Sequence, residues 1–326
     1  MQRQELKSYR EARSFSQAQL AEWLNAKLGR KYDRFRISRW EAGSEAIPAS
    51  VALLIEREST MKGRIIAVAM QKGGVGKTTT SLNLAGGFVE LGKRVLVIDA
   101  DAQASATIGV GQDPVELTRR KTTLYHVMFE GAEIEKSIVD LADIGISLLP
   151  STILMANGER MAVADTNSMF LLRKLLTPLR DKFDVIIIDT APNLGAITFA
   201  SLVAADEVLI PCKTAAFDAM SLPLILDTIQ KVQEFSNPGL KLLGILPTIF
   251  NAQAVVDQRV LEEMQENYGQ ILPIFTPIPR STGFDRAAYN GEVAMKALPK
   301  SHAGAAIYRD LARSLAGDSK GGQHAA

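Results

Sequence analysis

A glycine-rich loop between an apolar run and a helix-forming run constrains the fold of this chain more than any other feature. The loop reads Gln71-Lys-Gly-Gly-Val-Gly-Lys-Thr-Thr79 and directly follows the apolar run Ile65–Met70. Glycines let several backbone N–H groups converge on one anion, and a helix that begins at the loop adds the positive end of its dipole. A strand, this loop and a helix in succession predict a phosphate-binding P-loop.

Apolar strand candidates and helix-like segments alternate along the chain after residue 64. The strand candidates are Ile65–Met70, Arg94–Ala100, Ile146–Pro150, Phe183–Thr190, Glu207–Cys212, Leu240–Phe250 and Ile271–Ile278. The helix-like segments are Lys77–Leu91, Met169–Leu179, Ala196–Ala205, Phe217–Phe235 and Ala254–Tyr268. This alternation predicts an α/β fold, in which a doubly wound and mostly parallel sheet is covered by helices on both faces. Ligands of such sheets bind at the carboxyl ends of the strands.

Acidic residues end two of these buried strand candidates. Asp99 and Asp101 follow the second candidate, and Asp189 ends the candidate Phe183–Thr190. Carboxylates at the carboxyl edge of a sheet are suited to binding Mg²⁺ or to orienting water for attack on a γ-phosphate. The alternative is that they are solvated turn residues, and their place beside the P-loop favours the nucleotide site.

The P-loop departs from the usual pattern at its first position, where Gln71 replaces glycine and a second lysine, Lys72, follows. The pattern Lys-Gly-Gly-x-Gly-Lys-Thr resembles the deviant Walker A family of P-loop ATPases, which includes the ParA-type DNA partition ATPases, MinD and the nitrogenase iron protein. The Asp-x-Asp pair and the run Asp189-Thr-Ala-Pro192 are further marks of that family, although Ala102 stands where relatives usually have proline. The resemblance covers roughly residues 64–316.

The resemblance implies an ATPase that uses Mg²⁺ and forms a sandwich dimer with ATP. In that family the opening lysine, here Lys72, crosses the dimer interface to the partner's nucleotide. Lys77 reaches the β- and γ-phosphates, and Asp101 is the hydrolytic residue. The predicted catalytic residues are therefore Lys72, Lys77 and Asp101.

The resemblance also implies which residues hold the two cofactors, ATP and Mg²⁺. The predicted phosphate-binding residues are Lys72, Gly73, Gly74, Val75, Gly76, Lys77, Thr78 and Thr79. The predicted residues on the magnesium side are Thr78, Asp99 and Asp189. In relatives the adenine lies near the end of the long strand and the Ile-Pro-Arg segment. Asn251 and Pro279 are therefore candidates for adenine contacts, and a plain turn is the alternative.

Charge is distributed unevenly along the chain, which has a net charge of only +1 in total. Residues 1–64 contain 13 Lys and Arg against 8 Asp and Glu, a net charge of +5, and the rest of the chain carries −4. A basic head on a mildly acidic body indicates a nucleic-acid-binding module.

Two segments of this head resemble the Cro/repressor type of helix-turn-helix. They are Ser16-Gln-Ala-Gln-Leu-Ala21 and Ile37-Ser-Arg-Trp-Glu-Ala-Gly43. A recognition helix is expected from about Asp33 to Trp40, after a link, Asn25–Tyr32, that is about six residues longer than in the compact motif. The predicted DNA-binding residues are Lys31, Arg34, Arg36 and Arg39. The alternative is a solvated basic face or an arm for protein contacts.

The predicted domains are a small all-α helix-turn-helix domain at 1–60, a P-loop ATPase domain at 64–316 and a flexible tail at 317–326. The N-terminus lacks the apolar core of a signal peptide, and no uncharged apolar run is long enough to span a bilayer. We therefore expect a cytoplasmic, nucleoid-associated protein without a membrane partner. The single cysteine, Cys212, excludes an intramolecular disulfide and speaks against iron–sulfur chemistry.

Together the two resemblances imply a ParA-like ATPase that segregates plasmid or chromosomal DNA. It would bind DNA non-specifically as an ATP dimer, and a ParB-like centromere-binding protein would stimulate hydrolysis. The head is a candidate for operator binding and autoregulation of the partition operon. One alternative is a positioning ATPase for another cargo, such as a division site, a chemosensory array or a compartment. Another is a transcription regulator that responds to ATP.

Overall fold

The computed structural model describes residues 3–13, 15–60, 63–165 and 167–317, and its first elements are four helices. These are α1 (Arg3–Ala12), α2 (Gln17–Leu28), α3 (Arg34–Ala42) and α4 (Ala49–Thr60). We call the described residues up to 60 the head and those from 63 the body. The head has a core of its own, formed by Leu6, Tyr9, Leu20, Ala21, Trp23, Leu24, Ile37, Trp40, Val51 and Ile55.

Capping side chains set where α2 and α3 begin. The Ser16 hydroxyl accepts the N–H of Gln19 and the Gln19 side chain accepts the N–H of Ser16, which forms a capping box at α2. The Asp33 carboxylate accepts the N–H of Arg36 and so caps α3. The segment predicted as a recognition helix is therefore helical, over Arg34–Ala42.

The link between α2 and α3 is shorter than the sequence predicted, because α2 continues to Leu28. The predicted link Asn25–Tyr32 is thus wrong in its first half. Asn25 is helical, and its side chain donates to the Tyr32 carbonyl at 2.8 Å and accepts the Tyr32 N–H at 2.6 Å. This pair of hydrogen bonds closes the turn from within the helix.

The body is built on a seven-stranded sheet with the order β3-β4-β2-β5-β1-β6-β7. The strands are β1 (Arg64–Val68), β2 (Val95–Asp99), β3 (Val139–Leu141), β4 (Ile146–Leu149), β5 (Val185–Asp189), β6 (Glu207–Lys213) and β7 (Lys241–Thr248). β3 pairs with β4 in antiparallel fashion, and the other neighbouring pairs are parallel. The predicted α/β class with a mostly parallel sheet is confirmed.

Helices cover both faces of this sheet. They are α5 (Lys77–Glu90), α6 (Ser105–Gly109), α7 (Pro114–Arg119), α8 (Leu124–Phe129), α9 (Ile134–Ser137), α10 (Met155–Ala164), α11 (Ser168–Leu176), α12 (Ala196–Ala204), α13 (Ala216–Ala219), α14 (Leu222–Phe235), α15 (Val255–Tyr268), α16 (Thr282–Tyr289), α17 (Ala294–Ala297) and α18 (Ala303–Leu315). Alternate residues of β1 enter two different cores, Ile65 and Ala67 on one face and Ile66 and Val68 on the other. Strands that are buried on both faces explain the continuous apolar runs.

Two strand predictions differ from the structure. The segment Ile271–Ile278 is not a strand and forms only isolated bridges, because prolines at 273, 277 and 279 remove backbone donors that a ladder needs. The short antiparallel strand β3 escaped prediction because its three residues include the polar Asp140. Pro178 likewise ends α11 early and starts a 3-10 turn, Thr177–Asp181.

No helix among the described residues is long and apolar enough to cross a bilayer. The predicted tail 317–326 lies, apart from Gly317, outside the described residues.

A buried arginine on α18 ties the last helix to the end of α5. Arg309 is 8% exposed, and its Nε and Nη2 donate to the two carboxylate oxygens of Glu90 at 2.7 and 3.0 Å. Its Nη1 and Nη2 also donate to the carbonyls of Lys300 and Met295 at 3.1 and 3.2 Å. One guanidinium therefore satisfies four acceptors from three segments.

We expect Arg309→Leu to lower the free energy of unfolding by about 2–4 kcal/mol, because the variant leaves these acceptors without a donor. The partial exposure of Glu90 keeps the effect below that of a fully buried pair. Urea unfolding followed by circular dichroism measures the change. Arg313→Ala is the matched control, since Arg313 is an exposed arginine of the same helix. Equal destabilisation by both variants would contradict the role assigned to Arg309.

Candidate nucleotide-binding site

The glycine-rich loop lies between β1 and α5, and two of its glycines adopt left-handed backbone conformations. The φ angle is +70° at Gly74 and +81° at Gly76, where a residue with a side chain would be strained. Gly76 is also the N-cap of α5. Because glycine has no side chain to cap the helix, the first N–H groups of α5 remain available to an anion.

The two lysines of the loop lie in different environments. Lys77 is 7% exposed, and its Nζ donates to the Lys72 carbonyl at 2.9 Å. Burial lowers the pKa of Lys77, and the carboxylates of Asp189 and Asp101 act against this shift. The side chain of Lys72 is 40% exposed and pairs with Asp218, 3.2 Å from Nζ to Oδ1. Lys77 therefore points into the loop and Lys72 lies at the surface beside it.

Asp189 accepts two hydroxyl groups from the start of α5. Thr78 Oγ1 donates to Asp189 Oδ2 at 2.7 Å, and Ser81 Oγ donates to Asp189 Oδ1 at 2.9 Å. Asp189 has no exposed surface, and burial raises its pKa to about 6 against the opposing effect of these hydroxyls and of Lys77. The structure thus brings the predicted magnesium residues Thr78 and Asp189 into contact.

Asp99 lies beside Asp189 in the register of β2 and β5, but its carboxylate is occupied by other partners. Asp99 Oδ2 accepts the Thr107 N–H at 2.8 Å and the Thr107 hydroxyl at 2.7 Å, and Oδ1 accepts the Asp101 N–H at 3.2 Å. Burial and the charge of Asp189 raise the pKa of Asp99 to about 7. Asp99 therefore shapes the loop after β2, and its predicted contact with Mg²⁺ stays a prediction.

The loop after β2 holds Asp101 at the edge of the site. Asp101 is 9% exposed, its carboxylate accepts the Gln103 N–H at 2.9 Å, and its carbonyl accepts the Ser151 hydroxyl at 2.6 Å. The Ser151 N–H in turn donates to the Thr107 hydroxyl at 2.9 Å. A chain of hydrogen bonds therefore fixes the backbone of Asp101, and the charge of its carboxylate acts to raise the pKa of Lys77.

A cleft of about 670 Å³ opens from the end of the loop toward the end of β7. Gly76 and Thr79 line it at the loop, and the predicted adenine residues Asn251 and Pro279 line it further along. Thr248 Oγ1 donates to the Val75 carbonyl at 2.8 Å and so joins the end of β7 to the loop. Two of the predicted phosphate residues and both predicted adenine residues thus line one cleft, and their roles as ligands remain predictions.

The sequence pattern does not single out several polar residues of the site. Ser81 has a signal in retrospect, since it lies four residues after Lys77 on the helix that starts at the loop. Thr107 and Ser151 have no such signal, because their contacts join segments that are far apart in the chain. Asp257 belongs to the same group, because it accepts the Thr214 hydroxyl at 2.9 Å and the Asn251 N–H at 2.8 Å at the far end of the cleft.

The predicted DNA-binding residues lie on α3 or in the turn before it, at the surface of the head. Lys31, Arg34, Arg36 and Arg39 are all exposed. Glu45 accepts Nε of Arg36 at 2.7 Å and Nε of Arg39 at 2.8 Å, so one acid holds two of the three arginines of α3. The guanidinium of Arg34 lies over the ring of Phe35, 4.7 Å from its centre, and Phe35 is 58% exposed.

The sheet, the loop and the hydrogen bond from Thr78 to the buried Asp189 define a P-loop nucleotide-binding protein. The model of the AAA domain family (AAA_31) matches residues 63–242, just over half of the chain. The chain is 34% identical to the sporulation initiation inhibitor protein Soj of Bacillus subtilis over 78% of this chain and 98% of Soj. It is 35% identical to the chromosome-partitioning ATPase Soj of Thermus thermophilus over 78% of this chain and 96% of that protein.

A solved structure is similar at the same level. The cobyrinic acid a,c-diamide synthase of Mycobacterium smegmatis with bound ATP analogue and magnesium is 34% identical, with a TM-score of 0.67, over 78% of this chain and 94% of that one. The chain belongs to the ParA/Soj family of P-loop ATPases within the AAA domain family. This confirms the predicted family for the body, whereas these matches do not test the predicted helix-turn-helix of the head.

Burial of Asp99 makes the stability of the ligand-free protein depend on pH. A carboxyl whose pKa is raised by folding stabilises the protein fully below its unfolded pKa, and this stabilisation is lost as pH rises through the folded value of about 7. We expect the free energy of unfolding in EDTA to fall between pH 5 and pH 8. In Asp99→Asn this fall should be smaller by on the order of 1–3 kcal/mol.

Urea unfolding at a series of pH values measures this slope. Asp181→Asn removes an exposed carboxyl near the other end of β5 and serves as the control. A slope for Asp99→Asn equal to that of the unsubstituted protein would show that Asp99 does not titrate in this range.

Proposed function

We propose that this protein is a Mg²⁺-dependent ATPase of the ParA type that segregates plasmid or chromosomal DNA. The observation that carries the proposal is the loop with two lysines in different environments, Lys77 buried at the phosphate position and Lys72 exposed beside it. A single lysine would suffice to bind a nucleotide within one chain. A second, exposed lysine is suited to a nucleotide in another copy.

The residues present fit ATP and Mg²⁺ as cofactors. The N-terminus of α5 and the buried Lys77 provide the positive environment that phosphates need. Thr78 and Asp189 supply a hydroxyl and a carboxylate oxygen, the ligands that Mg²⁺ prefers. Mg²⁺, when bound, neutralises charge on the β- and γ-phosphates. Solved structures of a relative at 34% identity hold Mg²⁺ with ADP or with an ATP analogue, which supports both cofactors.

Asp101 is the proposed hydrolytic residue. Its backbone is fixed by Asp99 and Ser151, and its carboxylate lies close enough to Lys77 to affect that lysine's pKa. A carboxylate held there can accept a hydrogen bond from a water molecule and turn its oxygen toward the γ-phosphate. Lys77 and the N–H groups of the loop then stabilise the charge that develops on the phosphate oxygens.

The surface around Lys72 supports a homodimer. Phe217 and Met220 are 79% and 75% exposed, and they flank Asp218, the ion-pair partner of Lys72. Large apolar side chains at such exposure are typical of surfaces that another chain covers. A second copy that buries them would also bring Lys72 to a facing nucleotide.

The head is the proposed DNA reader of this ATPase. Its α2 and α3 follow the order of a helix-turn-helix, and α3 presents exposed arginines suited to phosphates and guanine edges. We propose that the head binds an operator and that the ATP dimer binds DNA without sequence preference. A ParB-like partner would stimulate hydrolysis, and the protein would act in the cytoplasm on the nucleoid. The chromosome-partitioning ATPase Soj of Thermus thermophilus supports the role of the body in partition.

Lys77→Ala tests the nucleotide site. We expect the variant to bind ATP on the order of 100-fold more weakly or not at all, because it loses the charge-assisted contacts to the phosphates. Isothermal titration with Mg²⁺ and a non-hydrolysable ATP analogue measures the affinity. Affinity equal to that of the unsubstituted protein would overturn the P-loop assignment.

Two variants of the same site separate binding, dimerisation and turnover. Lys72→Ala should bind ATP as a monomer and fail to dimerise, which analytical ultracentrifugation detects. Asp101→Ala should bind ATP and dimerise, while its turnover falls by roughly 10²–10⁴-fold. Normal turnover in Asp101→Ala would remove this residue from the mechanism, and a dimer of Lys72→Ala would remove the exposed lysine from the interface.

Arg34→Ala tests the head as a DNA reader. We expect specific binding to a sequence selected from random DNA by the full-length protein to weaken by about 1–3 kcal/mol, while ATP-dependent non-specific binding remains. Fluorescence anisotropy with the selected duplex and a scrambled duplex measures both. Lys7→Ala removes an equal charge from another surface of the head and serves as the control. Selection that yields no sequence would favour a positioning ATPase without an operator.

A further inference from the structure

The head contacts the body through the segment that follows α1. The side chain of Arg13 is 3% exposed, and its Nη2 donates to Asp184 Oδ1 of the body at 3.1 Å. The side chain of Asp184 is itself 9% exposed. The Arg13 guanidinium also lies over the ring of Tyr9, 3.9 Å from its centre. An ion pair so far removed from water holds its partners in place, because either charge alone would be costly to bury.

Phe15 makes the second contact with the body. Its ring lies directly on Gly92, where a Cβ atom would fall only 2.2 Å from Cζ of the ring. The φ angle of Gly92 is +72°, so the tight turn after α5 leaves a flat surface for the ring. Phe15 is partly buried and also packs against the core of the head. One aromatic side chain is therefore shared between head and body.

A second arginine connects this contact with α3. Arg10 Nε and Nη2 donate to the two carboxylate oxygens of Glu41 on α3 at 2.6 and 3.2 Å. Arg10 Nη1 donates to the Phe15 carbonyl at 3.0 Å. The Glu41 side chain is 7% exposed and also accepts the Gln17 amide at 2.9 Å. The position of α3 is thus tied, through one guanidinium, to the residue that touches the body.

The two contact points on the body are also fixed. Asp184 directly precedes β5, and it accepts the Arg94 N–H at 2.8 Å and Arg94 Nη2 at 2.9 Å at the start of β2. Gly92 belongs to the turn between α5 and β2. Two residues after it, the Arg94 carbonyl accepts the Asp184 N–H at 2.9 Å, which joins the two contact points. The head therefore contacts the edge where the strands begin, opposite the nucleotide site, at the far ends of α5 and β5.

We propose that Arg10, Arg13 and Phe15 form a latch that fixes the head, and with it α3, in one orientation on the body. A head on a loose joint would search many orientations and lose that freedom on binding, which weakens affinity. Two latched heads in an ATP dimer present two α3 helices at one separation, so their contacts with DNA reinforce each other. This last consequence rests on the proposed function, whereas the latch itself does not.

The latch is tested by the distance between head and body in the full-length protein. Spin labels are placed at Ala18→Cys on α2 and Lys241→Cys at the start of β7, both exposed, in a Cys212→Ala background. Pulsed electron–electron double resonance should give one narrow distribution of distances between the two labels. The variant with Arg13→Ala and Phe15→Ala should give a broad distribution and bind its selected DNA at least tenfold more weakly, with unchanged basal ATP turnover.

Two further variants keep the test decisive. Arg30→Ala removes an exposed charge from the turn between α2 and α3 and should keep the narrow distribution. Gly92→Val acts from the body, leaves every residue of the head in place and should broaden the distribution through its clash with Phe15. This variant controls for unfolding of the head, because it changes no residue of the head. Hydrogen exchange of the α2 amides shows whether the head is still folded.

The outcomes separate the latch from the proposed function. A broad distribution in the unsubstituted protein would overturn the latch. Narrow distributions in both the Arg13→Ala/Phe15→Ala variant and the Gly92→Val variant would also overturn it. A broad distribution with undiminished specific affinity would show that the latch does not serve DNA reading and would overturn that part of the proposal. If the unsubstituted protein selects no DNA sequence, the proposed role of the head fails, and the distances alone decide whether the latch exists.

Discussion

Asp189 is a carboxylate without exposed surface at the end of β5, and the start of α5 is organised around it. A buried charge is costly unless hydrogen bonds and a nearby opposite charge offset the loss of water. Thr78, Ser81 and the ammonium of Lys77 provide both. Because all three come from the first two turns of α5, the carboxylate fixes where the helix begins. The loop that precedes the helix is therefore held by a residue more than one hundred positions away in the chain.

The parts of this site that the sequence predicted are those whose constraint is local. Left-handed glycines, a lysine and a threonine at fixed spacing after a buried strand leave few other conformations for the loop, so Gly76, Lys77 and Thr78 were readable from the chain alone. Thr107 and Ser151 were not, because a hydroxyl becomes a partner of Asp99 or Asp101 only after two loops meet. The strand predicted at 271–278 was wrong for the opposite reason. Its apolar pattern suits a strand, but its prolines have no N–H to donate to a neighbouring strand.

The link within the head shows the same limit on a smaller scale. Asn25 favours turns when only local preference is considered, and a helix that ends there is a reasonable expectation. In the structure its amide bonds to both backbone groups of Tyr32, which satisfies them without interrupting α2. A side chain that completes a turn from inside the helix lengthens that helix by a turn. The pattern of residue types does not distinguish an asparagine that ends a helix from one that lies within the helix and bonds to the turn that follows.

The formal charge of the head overstates the positive charge that it can offer to DNA. Arg10 and Arg13 are held by Glu41 and Asp184 in ion pairs with little exposed surface, and breaking either would leave a buried charge behind. Arg36 and Arg39 share Glu45 at the surface, where ion pairs contribute little and are readily exchanged for phosphates. The arginines with little exposed surface, Arg10 and Arg13, therefore stabilise the fold of the head, whereas the surface arginines Arg36 and Arg39 are available to a ligand. The proposed binding of DNA by the head therefore depends on where the few available arginines lie along α3, and the orientation in which α3 is held matters more than the net charge.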